Sequence, residues 1–386
     1  MRRWLLRLLL LLGLVLLATP AAVAVAPNGD WRQELGGLET RELEKFLDEI
    51  DRQLKDYAPE FRLRSVLPWG SGALDLAALL RGLGRYLFRE VLANSRLLGQ
   101  MVIMAVVAAL LVNLQAAFER EAVARLAYAV VYLALATLAL GGFTTAMEAA
   151  RSMVNTLVEL MQALLPLLLT LMAGAGAITS AGLFHPAMVF VIYAVSFLTT
   201  HLVLPFIFFA VVLELAGTLS ESFKVTYLSA LLRQVGIGAL GVLLSLFLGV
   251  VAVQGAVGAV ADGVALRTAK FVTGNFVPVV GKMFADTVEV VFGSSLLLKN
   301  ALGLAGALAI LLTAAFPLLK ILSFYFIYRL GAALIQPLGA GRVVEALHSM
   351  ASALSFILLA SLLVSLMFFL GVTVIIGTGN SAAMLR

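Results

Sequence analysis

Residues 262–300 read DGVALRTAKFVTGNFVPVVGKMFADTVEVVFGSSLLLKN, and nothing else far from the chain ends is so dense in charge, amide, glycine and proline. Leu240 to Val253 before it and Ala301 to Phe316 after it are nearly pure hydrocarbon. Polar, irregular sequence between membrane spans persists only where protein or water surrounds it, or at the interface. The spacing predicts two short amphipathic helices that meet at Gly274-Asn275 and Pro278, a candidate re-entrant or interfacial hairpin. On it, Arg267 and Lys270 lie one helical turn apart, and Lys282 and Asp286 fall at i, i+4, where they could pair. Lys299 and Asn300 abut the next apolar run.

The composition supports a membrane setting. Hydrophobic residues make up 62% of the chain and charged residues 13%, where soluble domains carry roughly twice that charge. Apolar runs of about 20 residues predict spans near 97–117, 122–142, 157–178, 185–200, 203–219, 235–257, 301–319, 321–337 and 352–377. The fold class is therefore all-α: a polytopic bundle of eight or nine spans, with a small helical extracytoplasmic segment at the amino terminus. The net charge of +5 is spread over span ends and indicates no nucleic-acid partner. The absence of cysteine excludes disulfides, thiolate metal sites and thiol nucleophiles.

Residues 1–26 have the form of a secretory signal: Arg2, Arg3 and Arg7, then Leu8 to Leu17, then Ala22-Val23-Ala24 and Ala24-Val25-Ala26 as small-x-small cleavage sites. Residues 27–96 then form a charged amphipathic segment outside the cytoplasm. Its second helix, from about Ala73 to Ala93, carries Arg81, Arg85 and Arg89 as one basic stripe suited to headgroups. Residues 97–386 form the transmembrane domain.

Two runs are too long for one span. Leu183 to Leu219 would reach about 55 Å as a helix, against a hydrocarbon core of about 30 Å; the expectation is that it folds back at His201 and Pro205. Ala301 to Leu338 is expected to break at Pro317, Lys320, Arg329 and Pro337, with Lys320 snorkelling at a turn. Glu214, in an apolar run, is read as interfacial, and Arg233 as a cation holding the cytoplasmic side. A short echo, Phe247-Leu248-Gly249-Val250 with Gly255 against Phe369-Leu370-Gly371-Val372 with Gly377, leaves open whether two halves diverged from one.

No catalytic motif is found. His185, His201 and His348 lie far apart without acidic neighbours at ligand spacing, and phosphate-loop, nucleophile-elbow and dinucleotide patterns are lacking. The expectation is a non-enzyme without cofactor or metal. Candidate path-lining or gating residues are Asp262, Arg267, Lys270, Asn275, Lys282, Asp286, Lys299 and Asn300, with Glu214, His185, His201 and Arg329 as weaker ones.

These residues carry a resemblance. LLRQVGIGAL (231–240), FLGVVAVQG (247–255), DGVALRTAKFVTGNFVPVVGKMF (262–284), SLLLKN (295–300), LFHPAMVF (183–190) and LMFFLGVTVII (366–376) resemble the stage III sporulation protein AE family of endospore-forming bacteria. The resemblance implies a multi-pass protein of the mother-cell membrane around the forespore, within a trans-envelope, secretion-like channel complex. The implied partners are other stage III sporulation A membrane and ring proteins, a separate secretion-type ATPase and the lipid bilayer. The competing expectations are a non-conducting scaffold for that complex and a gradient-driven permease acting alone.

Overall fold

The computed structural model describes residues 76–117, 121–219, 225–276, 280–339 and 341–384. The signal-like segment 1–26, residues 27–75 of the charged amphipathic segment and Pro278 lie outside the described residues, as do the side chains of Lys270, Asn275, Lys282 and Asp286. What is described is helical throughout: α1 (Leu76–Ala93), α2 (Ser95–Ala117), α3 (Glu121–Gly174), α4 (Ile178–Leu198), α5 (Leu204–Leu219), α6 (Thr226–Phe276), α7 (Val280–Ile335) and α8 (Gly341–Met384).

Six stretches are long and apolar enough to cross a membrane: 80–111, 126–174, 178–218, 226–265, 292–338 and 341–378. Three pairs of expected spans have merged. The runs at 122–142 and 157–178 lie largely on α3, and those at 301–319 and 321–337 fall almost wholly on α7. Pro317 sits inside α7 rather than ending it, so Lys320 lies on unbroken helix and at no turn. Cutting hydropathy every 20 residues fails because these helices outrun a bilayer: 47 residues rise about 70 Å.

The expected fold-back at His201 and Pro205 is also corrected. Between α4 and α5 the chain makes one π-helical turn, Thr199–Val203, and both flanking residues keep right-handed helical angles. Proline has no N–H, and its ring crowds the carbonyl four residues back. A widened turn absorbs the mismatch: Leu204 N–H donates to Thr199 O, one residue further back than in an α-helix. The turn therefore re-aims the helix without reversing it.

The helices lie side by side and alternate in direction. Leu164 of α3 meets Gly306 of α7, while Gly142 meets Phe324 and Tyr328, so α3 and α7 are antiparallel. Arg233 reaches Ser352, and Phe247 lies 3.7 Å from where a Cβ on Gly371 would stand, so α6 and α8 run parallel. The echo segments 247–255 and 369–377 are thus neighbours nearly in register. The shared core is Leu, Ala, Met, Val and Phe, with Tyr132, Phe143, Phe184, Tyr328 and Phe368 fully buried. α1 docks through Tyr86, edge-on to Phe316 of α7 at 5.1 Å. Its Arg81, Arg85 and Arg89 are exposed, as the stripe predicts.

Candidate functional site

Polar groups collect at two levels of the bundle. One is the turn from α3 to α4 and the helix segments around it. Gly176 takes φ +88° there. Its N–H donates to Ala173 O at 2.9 Å, and Ala177 N–H donates to Met172 O at 3.0 Å. This closes α3 with a left-handed residue that only glycine adopts at low cost. α4 then begins at once, and its N-cap, Ala177, has no side chain to satisfy the first amides.

Asp262 of α6 supplies what Ala177 cannot. Its carboxylate, 1% exposed, receives Thr179 N–H at 2.8 Å and Ser180 N–H at 3.2 Å. Four residues earlier, Gly258 lets α6 press on Ser180; a Cβ there would collide with the serine hydroxyl. Asp262 is an N-cap supplied by another helix.

Lys299 of α7 is fully buried and donates from Nζ to Ile376 O of α8 at 2.8 Å. Beside it, Asn300 Oδ1 is buried without a hydrogen-bond partner, as is Gln254 Oε1 on α6. Gly303 lies against Ile376, and Thr378 stands 3.8 Å from a Cβ built on Gly255. The structure thus brings Asp262, Lys299 and Asn300 to one end of the bundle, on two helices, α6 and α7, with the α3–α4 turn. Arg267, on α6 beyond Asp262, is exposed. The 262–300 stretch consists of the ends of two long helices, α6 and α7, joined through 277–279. It does not form two short helices meeting at Gly274-Asn275, because α6 continues to Phe276.

The second level holds an ion pair that sequence reasoning did not find. Glu214 of α5 and Arg233 of α6 pair at 2.5 Å, with side chains 14% and 8% exposed. Ser229 Oγ donates to the other Glu214 oxygen at 2.8 Å. The Arg233 guanidinium lies over the Phe356 ring of α8, 5.6 Å from its centre. Glu214 is therefore ion-paired between α5 and α6. Arg233 binds α5 to α6, whatever it adds to topology. Nearby, Tyr132 OH and Thr218 Oγ1 hydrogen-bond to each other.

The remaining candidates stand apart. His201, in the π-helical turn, stacks on Phe197 with ring centres 5.0 Å apart and shares a hydrogen bond with Thr200 Oγ1 at 2.8 Å. Arg329 lies 3.3 Å from His348 Nδ1 and over Tyr325. His185 sits on α4 before Pro186, in the same helix as His201 but more than four turns away. Among the described residues no three His, Cys, Asp or Glu side chains are grouped to hold a metal ion.

Against known proteins, the model of the family "Stage III sporulation protein AE" matches residues 62–379. The chain belongs to the stage III sporulation protein AE family. Bacillus subtilis (strain 168) has a relative named stage III sporulation protein AE that is 42% identical over 351 residues, covering 90% of this chain and 88% of that protein. No solved structure matches. The matched residues take in both polar levels.

Proposed function

We propose that this member of the stage III sporulation protein AE family is a multi-pass membrane component of the complex that joins mother cell and forespore, acting as a subunit of its conduit. The observation that carries this reading is the family match over 62–379 combined with six apolar helical stretches in the same region. The partners are the other stage III sporulation A membrane and ring proteins, with any ATP-driven work done by a separate secretion-type ATPase.

The bundle end that holds the Glu214 pair, with Arg125, Arg233, Arg329 and Arg342, is read as cytoplasmic under the positive-inside rule, although the 262–300 stretch at the other end carries four cations of its own, Arg267, Lys270, Lys282 and Lys299. The 277–279 junction, the Asp262 cap and the amino-terminal segment then lie on the extracytoplasmic side. There the 262–300 stretch faces the intermembrane space and the ring proteins.

The buried, bonded state of Asp262 and Lys299 favours a second reading of the same segment: a joint that holds the subunit's shape while partners dock on it. Charge reversal at Arg267, Lys270 and Lys282 separates the two. Forespore development that stops while partners still copurify supports the conduit. Loss of copurification supports the scaffold. Normal spore yield with all three reversed removes the segment from either role. Solute flux in vesicles holding this chain alone would instead identify a permease.

A further inference from the structure

The outer surface of a membrane bundle should be apolar wherever lipid touches it. Most of this one is: Phe190 and Phe197 on α4, Val242, Leu246 and Val253 on α6, and Ile103 on α2 are exposed. α3 departs from the pattern. Between Leu133 and Ile178 it has no exposed large hydrophobic residue. Its exposed positions from Thr137 to Thr170 recur every three or four residues, the period of one helix face. Thr137, Thr144, Glu148, Ser152, Asn155 and Glu159 are among them; the others carry a hydroxyl or amide or are Gly141 and Pro166. The face extends about 50 Å, the thickness of a whole bilayer.

Its centre lies at mid-depth. Met153, one residue from Ser152, is in contact with Ser365 of α8, roughly half-way between the polar ends of that helix. Glu148 is 69% exposed and pairs with Arg151 at 3.9 Å, while Glu159 is exposed about three turns on. A charge facing lipid at such depth costs about 3 kcal/mol on insertion scales. Behind this face α3 packs on hydrophobic side chains.

We propose that this face is where two copies of the chain meet in the membrane, α3 against α3, enclosing a polar, water-bearing seam. The inference rests on reading the chain as membrane-spanning. Copies inserted the same way are related by a two-fold axis along the membrane normal, so equal depths face each other. Arg151 lies within one turn of Glu148, so each copy's arginine can reach the other's glutamate, and the stripe is complementary to itself at that level; the two Glu159 side chains face the water of the seam. Gly141, Thr144 and Ser152 are small enough for the backbones to approach. Lipid would leave the Glu148–Arg151 pair and Glu159 without polar surroundings.

The native chain has no cysteine, so single cysteines report proximity directly. Ser152→Cys and Asn155→Cys in the full chain, oxidised in native membranes, are expected to give a species of twice the chain mass. Leu246→Cys, on the outer face of α6, is expected to give background only. Arg151→Glu added to Asn155→Cys is expected to lose the crosslink, and Glu148→Arg beside it to restore it. Background-level crosslinking at both stripe positions, or a product of any other mass, overturns the proposal. The readout is mass in membranes rather than spore yield. A crosslinked pair in cells whose forespores develop without the protein would sink the sporulation reading and leave this one standing.

Discussion

The Asp262 carboxylate on α6 receives the Thr179 backbone N–H at 2.8 Å, closing the start of a helix that begins 84 positions earlier in the chain at Ile178 (262 − 178). A polar residue that looks like a site in hydropathy is here a structural fastening, and it is one of three kinds on which the bundle depends.

Removing that cap leaves buried N–H groups without an acceptor. Asp262→Ala is expected to destabilise the detergent-solubilised protein by about 1–3 kcal/mol, whereas Asp262→Asn, which keeps an acceptor oxygen, loses less. Chemical denaturation compares the three. An alanine variant as stable as the parent would show that the cap contributes nothing.

Glu214 and Arg233 form the second fastening. Because both side chains are largely buried, Glu214→Leu or Arg233→Met alone should cost about 3–5 kcal/mol, and the two together far less than the sum. A double-mutant cycle reads the coupling; additive losses would mean the pair does not operate as one unit.

The π-helical turn holds one residue more than an α-helical turn of the same reach. Deleting Thr200 would let Thr199–Val203 close as ordinary α-helix and keep everything after it near its present rotation, without the turn of about 100° that losing a residue from an α-helix gives. Glu214 would then still face Arg233. Cysteines at the two positions, which should crosslink in the parent, are expected to crosslink in the deletion variant as well. Lost crosslinking in the deletion variant would refute this role for the turn.

Close approach of α7 to α8 is the third fastening. A Cβ on Gly303 would run into the Ile376 side chain, so Gly303→Ala is expected to cost about 1–3 kcal/mol of stability. Ile376→Ala in the same chain should return part of the loss. If the second change deepens the loss instead, the crowding is elsewhere.

Much of this was legible beforehand. The helical class, a helix over about 73–93 with its exposed arginines, and the family resemblance all follow from local pattern. His201 and Pro205 were flagged at the right place with the wrong consequence, because a proline mismatch can be absorbed by a widened turn as well as by a break. Glu214 and Arg233 each stood out singly, yet their pairing was invisible: they lie on different helices, and hydropathy along one helix carries no record of its neighbour. Glu148, Arg151 and Glu159 were passed over because a few charges dilute easily in a long apolar window. Only the packing tells which side of α3 is outside.

By itself the sequence determines that the chain is helical and apolar enough for a membrane, and which family it belongs to. Those properties are sums over local residues and their periods. The tertiary structure alone decides which polar groups are neutralised and which stay open. Burial, capping and ion pairing depend on distances between helices far apart in the chain. Thus Asp262, Lys299 and Glu214 are satisfied inside the fold, and the charged face of α3 is left on its surface.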